Sequence, residues 1–71
     1  MDAIRIFINF LTSPFPEIRS LVTLLLSDIP LGQENVYVVE ELLEHKDPDV
    51  RSRALEVLIA DGQEEFLYGK I

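Results

Sequence analysis

The sequence predicts an all-α chain: two antiparallel helical hairpins stacked side by side, followed by a short C-terminal helical stub. Three observations predict it. Apolar residues recur at i, i+3, i+4 and i+7 through four stretches, the spacing of one helix face. Residues 15–26, FPEIRSLVTLLL, and residues 47–58, DPDVRSRALEVL, carry one pattern at an interval of 32 positions. Proline, glycine and aspartate fall between the periodic stretches, where helices start and stop.

The first helix is predicted over residues 2–12, where Ile4, Phe7, Ile8 and Leu11 share a face. The second is predicted over 16–28, with Ile18, Leu21, Val22, Leu25 and Ile29 as its apolar stripe. Pro16 suits a first turn, where a missing N–H costs nothing, and Glu17 sits at the positive end of the helix dipole. The third, over 34–45, rests on Val36, Val39 and Leu43. Its YVV is β-prone, but the EELLEH that follows favours helix. The fourth, over 48–60, has Val50, Ala54, Val57 and Leu58 on one face, Asp47 as N-cap, Pro48 in the first turn and Asp49 beside the dipole. Pro30 with Gly32, and Asp61 with Gly62, are stop signals, and the stub falls at 63–70.

At the 32-residue interval Leu11/Leu43, Pro16/Pro48, Arg19/Arg51, Ser20/Ser52 and Leu26/Leu58 are identical. The interval divides a single domain, 1–71, into repeat one at 1–32, repeat two at 33–62, and a partial third repeat or cap at 63–71. A period of this length built from two helices is a solenoid signature. LEHKDPDVRSRALEVL resembles the second half of a HEAT repeat in its short bacterial form, through the DP turn, the aliphatic–Arg pair, the small Ala54 and the final Leu58. Residues 11–26 depart from that pattern, with Phe15 in place of the turn aspartate and Val22 in place of the small residue. The resemblance implies a HEAT-like α-solenoid fragment in which arginines at the edge of the apolar stripe, Arg19 and Arg51, have structural roles. It further implies that Arg19 pairs with Asp47 as one rung of a ladder.

Stacking in one orientation predicts that Leu21 and Leu24 meet Leu55 and Ile59, with Thr23 and Ser27 turned outward at one end and Arg53 and Glu56 at the other. In the other layer Ile6 and Phe10 are expected against Val36 and Tyr37. That leaves Val38 and Leu42 to be covered by QEEFLYGKI, residues 63–71.

Composition limits the function. The chain has 71 residues, 48% of them hydrophobic and 27% charged, which suits a small folded domain. The absence of cysteine removes disulfides and thiolate metal sites. The formal net charge of −7 opposes binding to nucleic-acid phosphates or anionic lipid. MDAIRIFINFL has no basic n-region, and SLVTLLLSDI falls short of a bilayer span, so a cytoplasmic protein is expected.

Chemistry-bearing groups are sparse. His45 with Glu41 makes an i, i+4 pair, which is two ligands where a metal site needs more. HEAT-type enzymes with His-Glu pairs for iron are the nearest analogy, and here the order is reversed as Glu44-His45 and occurs once. The serines have no base within a recognisable motif, and the three glycines are isolated. No catalytic, cofactor-binding or metal-binding residue is predicted, and the chain is not expected to be an enzyme. Glu40, Glu41 and Glu44 form an acidic cluster on the exposed side of the third helix, the predicted contact face for a basic protein partner. A HEAT-like protein-interaction module is therefore expected. The alternatives are a self-assembling structural subunit, such as a homodimer joined through apolar repeat ends, and an accessory part of a HEAT-like enzyme such as a bilin lyase.

Overall fold

In a computed structural model the described residues, 2–63, form four α-helices and a single 3-10 turn, with no strand among them. The fold is all-α, as predicted. The helices are α1 (Ala3–Asn9), α2 (Pro16–Ser27), α3 (Gln33–Leu42) and α4 (Pro48–Ala60), and the 3-10 turn is Phe10–Thr12. The predicted stub at 63–70, and the partial repeat or cap at 63–71, lie outside the described residues apart from Gln63.

Each helix begins where the side chains dictate. Asp2 caps α1, its Oδ1 accepting from the Ile4 amide at 2.9 Å. The last turn tightens into the 3-10 segment, because Pro14 disfavours helical backbone at Ser13, which turns out to φ −57°, ψ 143°. The single helix expected over 2–12 is thus α1 plus this turn. Asp47 caps α4 from an extended backbone, φ −85°, ψ 120°, with Oδ1 accepting from the Asp49 amide at 2.9 Å.

Phe15 holds the equivalent place before α2 with nearly the same backbone, φ −97°, ψ 114°, and no side-chain cap. A phenyl ring cannot accept the free amides, and this one is 59% exposed, so little burial is lost with it. Phe15→Asp is therefore expected to stabilise the protein by about 1 kcal/mol. A urea midpoint that rises at constant m-value checks it.

α3 ends three residues earlier than expected. The amides of Leu43, Glu44 and His45 turn to the carbonyls of Glu40, Glu41 and Leu42, three residues back, which tightens and closes the helix. Pro48 then keeps Asp47 extended. At its start α3 follows Gly32, whose φ of 83° is a left-handed backbone that suits glycine.

α2 packs against α1 and most extensively against α4; α3 packs against α4 and, over a smaller area, against α1. The core runs through all four helices, with Leu11, Leu26, Val39, Val57 and Leu58 fully enclosed. Leu26 and Leu58, identical at the 32-residue interval, are both at 0% exposure.

The flanks are reversed from the sequence expectation. Leu21 and Leu24 stand 58% and 68% exposed, whereas Thr23 is 5% exposed, so the polar flank of α2 is the one turned inward. Thr23 Oγ1 donates to the Arg19 carbonyl at 2.7 Å, and Ser27 Oγ donates to the Thr23 carbonyl at 2.7 Å. Hydroxyls satisfied on their own helix can be covered at little cost, so their polarity does not force them outward. In the other layer Ile6, Phe10 and Tyr37 are exposed while Val36 is buried. Val38 and Leu42 are half-buried against the core, and the segment expected to cover them, 63–71, lies outside the described residues apart from Gln63.

Candidate functional site

The interior boundary between the first two helices and the last two is bridged by polar contacts. On the α1–α3 side, Asn35 is 4% exposed yet fully used. Its Oδ1 accepts from Arg5 Nε at 3.1 Å, and its Nδ2 donates to Asp2 Oδ2 at 2.8 Å and to the Leu31 carbonyl at 2.9 Å. On the α2–α4 side Arg19 Nε donates to Asp49 Oδ2 at 2.8 Å, and Arg53 Nε donates to the same oxygen at 3.0 Å. A third bridge runs from the Leu31 amide to Asp61 Oδ1 at 3.1 Å.

This corrects the rung implied by the HEAT resemblance. Arg19 pairs with Asp49 and not with Asp47, whose carboxylate is committed to the amide of its own helix. Asp49 stands in the first turn of α4, on the flank that α2 covers, and so receives the guanidinium. Both arginines singled out by the sequence do hold the chain before their helix. Arg19 Nη1 donates to the Ser13 carbonyl at 2.8 Å, and Arg51 Nη1 donates to the His45 carbonyl at 2.9 Å, each six residues back. Arg51 reaches the Lys46 carbonyl as well, at 3.3 Å.

The seam is coupled to pH. The hydrogen bond from Arg53, helped by the charges of Arg53 and Arg19 and opposed by partial desolvation, holds the Asp49 carboxyl below its ordinary value. The Asn35 amide, and after it the Ile4 amide, lowers Asp2 in the same direction. A carboxyl depressed by folding contributes stability above its unfolded pKa, and that contribution disappears as pH falls through the folded value. Thermal stability is therefore expected to decline as pH drops from neutrality through the aspartate range to about 3. Asp49→Asn should flatten this decline, and an identical acid slope in that variant would contradict the assignment.

The acidic cluster is divided by its backbone. Glu40 is half-buried on the last turn of α3, Glu41 is exposed beside it, and Glu44 is exposed just past the helix end. At about 100° per residue they lie on the flank of α3 that carries the exposed Tyr37, opposite the flank of Asn35. His45 sits in the following turn, where Nδ1 accepts from the Asp47 amide at 3.0 Å. Among the described residues no group of three His, Cys, Asp or Glu side chains is placed to hold a metal ion.

A shallow, open depression of about 300 Å³ is lined by Asp2, Leu31, Gly32, Gln33, Glu34 and Asn35. Asp2 and Asn35 are already spent on the seam there, and the other polar side chains that line it, Gln33 and Glu34, stand exposed. The larger feature is apolar. Ile6 of α1 and Phe10 of the 3-10 turn, with Leu21, Leu24 and Leu25 of α2, are all exposed. The sequence reading had Leu21 and Leu24 covered. It had also passed over Asp2, Arg5, Asn35, Asp49 and Asp61 as partners across the seam. A polar Asn35 between Leu31 and Val39 on an apolar face was the available signal for one of them.

No protein-family model, curated protein or solved structure matches this chain. Among the described residues no helix is long and apolar enough to cross a membrane.

Proposed function

We propose that the chain is a small HEAT-like protein-interaction module: two equivalent helix pairs, α1–α2 and α3–α4, stacked as a short α-solenoid with no catalytic activity of its own. The observation that carries this reading is the recurrence, at the 32-residue interval, of one arginine-to-carbonyl bond at the entry to α2 and to α4. Two sequences that merely shared amphipathic spacing would have no reason to repeat that contact. HEAT-like repeats serve widely as scaffolds for other proteins, and the functional step rests on that likeness of fold.

The contact face in this proposal is the acidic flank of α3. Glu41 and Glu44 are exposed beside Tyr37, and Glu40 adds charge at their edge. A face of this kind steers a basic protein segment electrostatically, and an aromatic ring alongside supplies apolar area. A cytoplasmic location accords with this proposal. Replacing Glu40, Glu41 and Glu44 together by lysine is expected to lower capture of a basic partner from native lysate at least tenfold and to remove its salt sensitivity. Capture that is unchanged in amount and salt dependence would remove this face from consideration.

The exposed apolar flanks of α1 and α2 favour a second reading, self-assembly. No observation in the structure favours the accessory role in a bilin lyase.

A further inference from the structure

The contact between the two helix pairs has a direction. The two helices are joined by the Arg19–Asp49 ion pair, and helical spacing from it makes Arg19, Thr23 and Ser27 the flank that α2 offers and Asp49, Arg53 and Val57 the flank with which α4 receives it. Moving the receiving flank back by 32 positions lands on Glu17, Leu21 and Leu25 of α2. Moving the offering flank forward by 32 lands on Arg51, Leu55 and Ile59 of α4. These are the two outer flanks of the molecule. Leu21, Leu25 and Ile59 are 58%, 43% and 42% exposed, and Glu17 and Arg51 are exposed too.

The two outer flanks complement each other. The acid of the internal ion pair is replaced by an acid, Glu17, and its arginine by an arginine, Arg51, and neither is in an ion pair among the described residues. Arg51 is held by the carbonyl six residues back, as Arg19 is, so its guanidinium is set in the manner of the internal rung. Where the inner flanks carry Thr23, Ser27 and Arg53, the outer flanks carry the half-buried Leu55 with Ile59 and Leu21, which gives the outer pair the more apolar surface.

We propose that copies of this chain stack head to tail, the far flank of α4 in one copy lying on the outer flank of α2 in the next, with Arg51 of the first paired to Glu17 of the second. The contact joins two different surfaces, so each added copy leaves both kinds of end open and assembly proceeds in a line instead of closing as a two-fold dimer. The α2–α4 layer carries it, as that layer dominates the internal contact. The acidic flank of α3 stays at the rim. This inference shares with the proposed function only the equivalence of the two helix pairs, and the readouts differ: oligomeric state here, capture of a basic partner there.

Complementary blocking tests it. Leu21→Glu with Leu24→Glu blocks the α2 end, and Arg51→Glu with Ile59→Glu blocks the α4 end. All four positions are exposed, and circular dichroism confirms that each variant keeps its helices. In sedimentation, the unmodified chain is expected to grow in mass with concentration up to about 1 mM. Each variant alone should remain monomeric, and an equimolar mixture should stop at a heterodimer, since one good junction remains. Glu17→Arg and Arg51→Glu should each weaken assembly singly and restore it when combined in one chain. A monomeric unmodified chain at that concentration overturns the proposal, as does either blocked variant assembling alone or a mixture that forms no heterodimer.

Discussion

Leu26→Ala is expected to remove about 3 kcal/mol of stability, and Leu58→Ala about as much. Both side chains are at 0% exposure within one core, so truncation loses the transfer energy of the missing carbons and leaves a cavity that four short helices are poorly placed to close. A domain this small holds on the order of 5 kcal/mol in total, so either change leaves only about 2 kcal/mol of it. Urea unfolding of the two variants beside Leu25→Ala is the measurement. Leu25 belongs to the same helix but is 43% exposed, and its loss should be less than half as large. A small effect at Leu58 with a large one at Leu26 would show that the two leucines do not share one core.

Arg19→Met is expected to cost about 2 kcal/mol, against well under 1 kcal/mol for Arg51→Met. The two arginines are identical in the sequence pattern and each donates to the carbonyl six residues back. Only Arg19 has a second partner across the seam, Asp49 at 2.8 Å, and its side chain is 12% exposed. Without it the Ser13 carbonyl loses its donor, while Asp49 keeps Arg53, so the carboxylate is not stranded. Lysine in place of Arg19 should recover little, because an ammonium lacks the planar fork that reaches a carbonyl and a carboxylate together. Equal losses at both arginines would mean that the seam ion pair contributes nothing and that the carbonyl bond is the whole effect.

Much of the fold was legible in the sequence because punctuation and period agreed. Pro48 with Asp47 placed the start of α4, and Asp61-Gly62 placed its end, to the residue. Pro16 did the same for the start of α2. The end of α3 was not legible. The run EELLEH continues the helical composition, and what halts it is a local change to three-residue hydrogen bonding before a proline-fixed turn. The facing of the flanks was misread for a definite reason. Hydrophobicity ranks leucine inside and threonine outside, but Thr23 and Ser27 consume their own polarity on the α2 backbone, and Arg19 consumes its charge on Asp49. Which acid Arg19 meets could not be read either, since Asp47 and Asp49 stand two residues apart and only their directions from the helix start separate them. The helix expected to carry Glu40, Glu41 and Glu44 ends at Leu42, which leaves Glu44 just past it.

One more consequence lies in the order in which the chain is made. α4 packs on both α2 and α3 and supplies four of the enclosed side chains, Val50, Ala54, Val57 and Leu58, yet it is the last of the four helices to be synthesised. At a translation rate of about 5–20 residues per second, α2 spends seconds outside the ribosome before its lid arrives. During that interval LVTLLL has only α1 and the 3-10 turn to pack on and lacks its α4 cover. The nascent chain is thus at its stickiest just before α4 emerges, and that is the stage at which a holding chaperone, or a neighbour on the same messenger, has the most to grip.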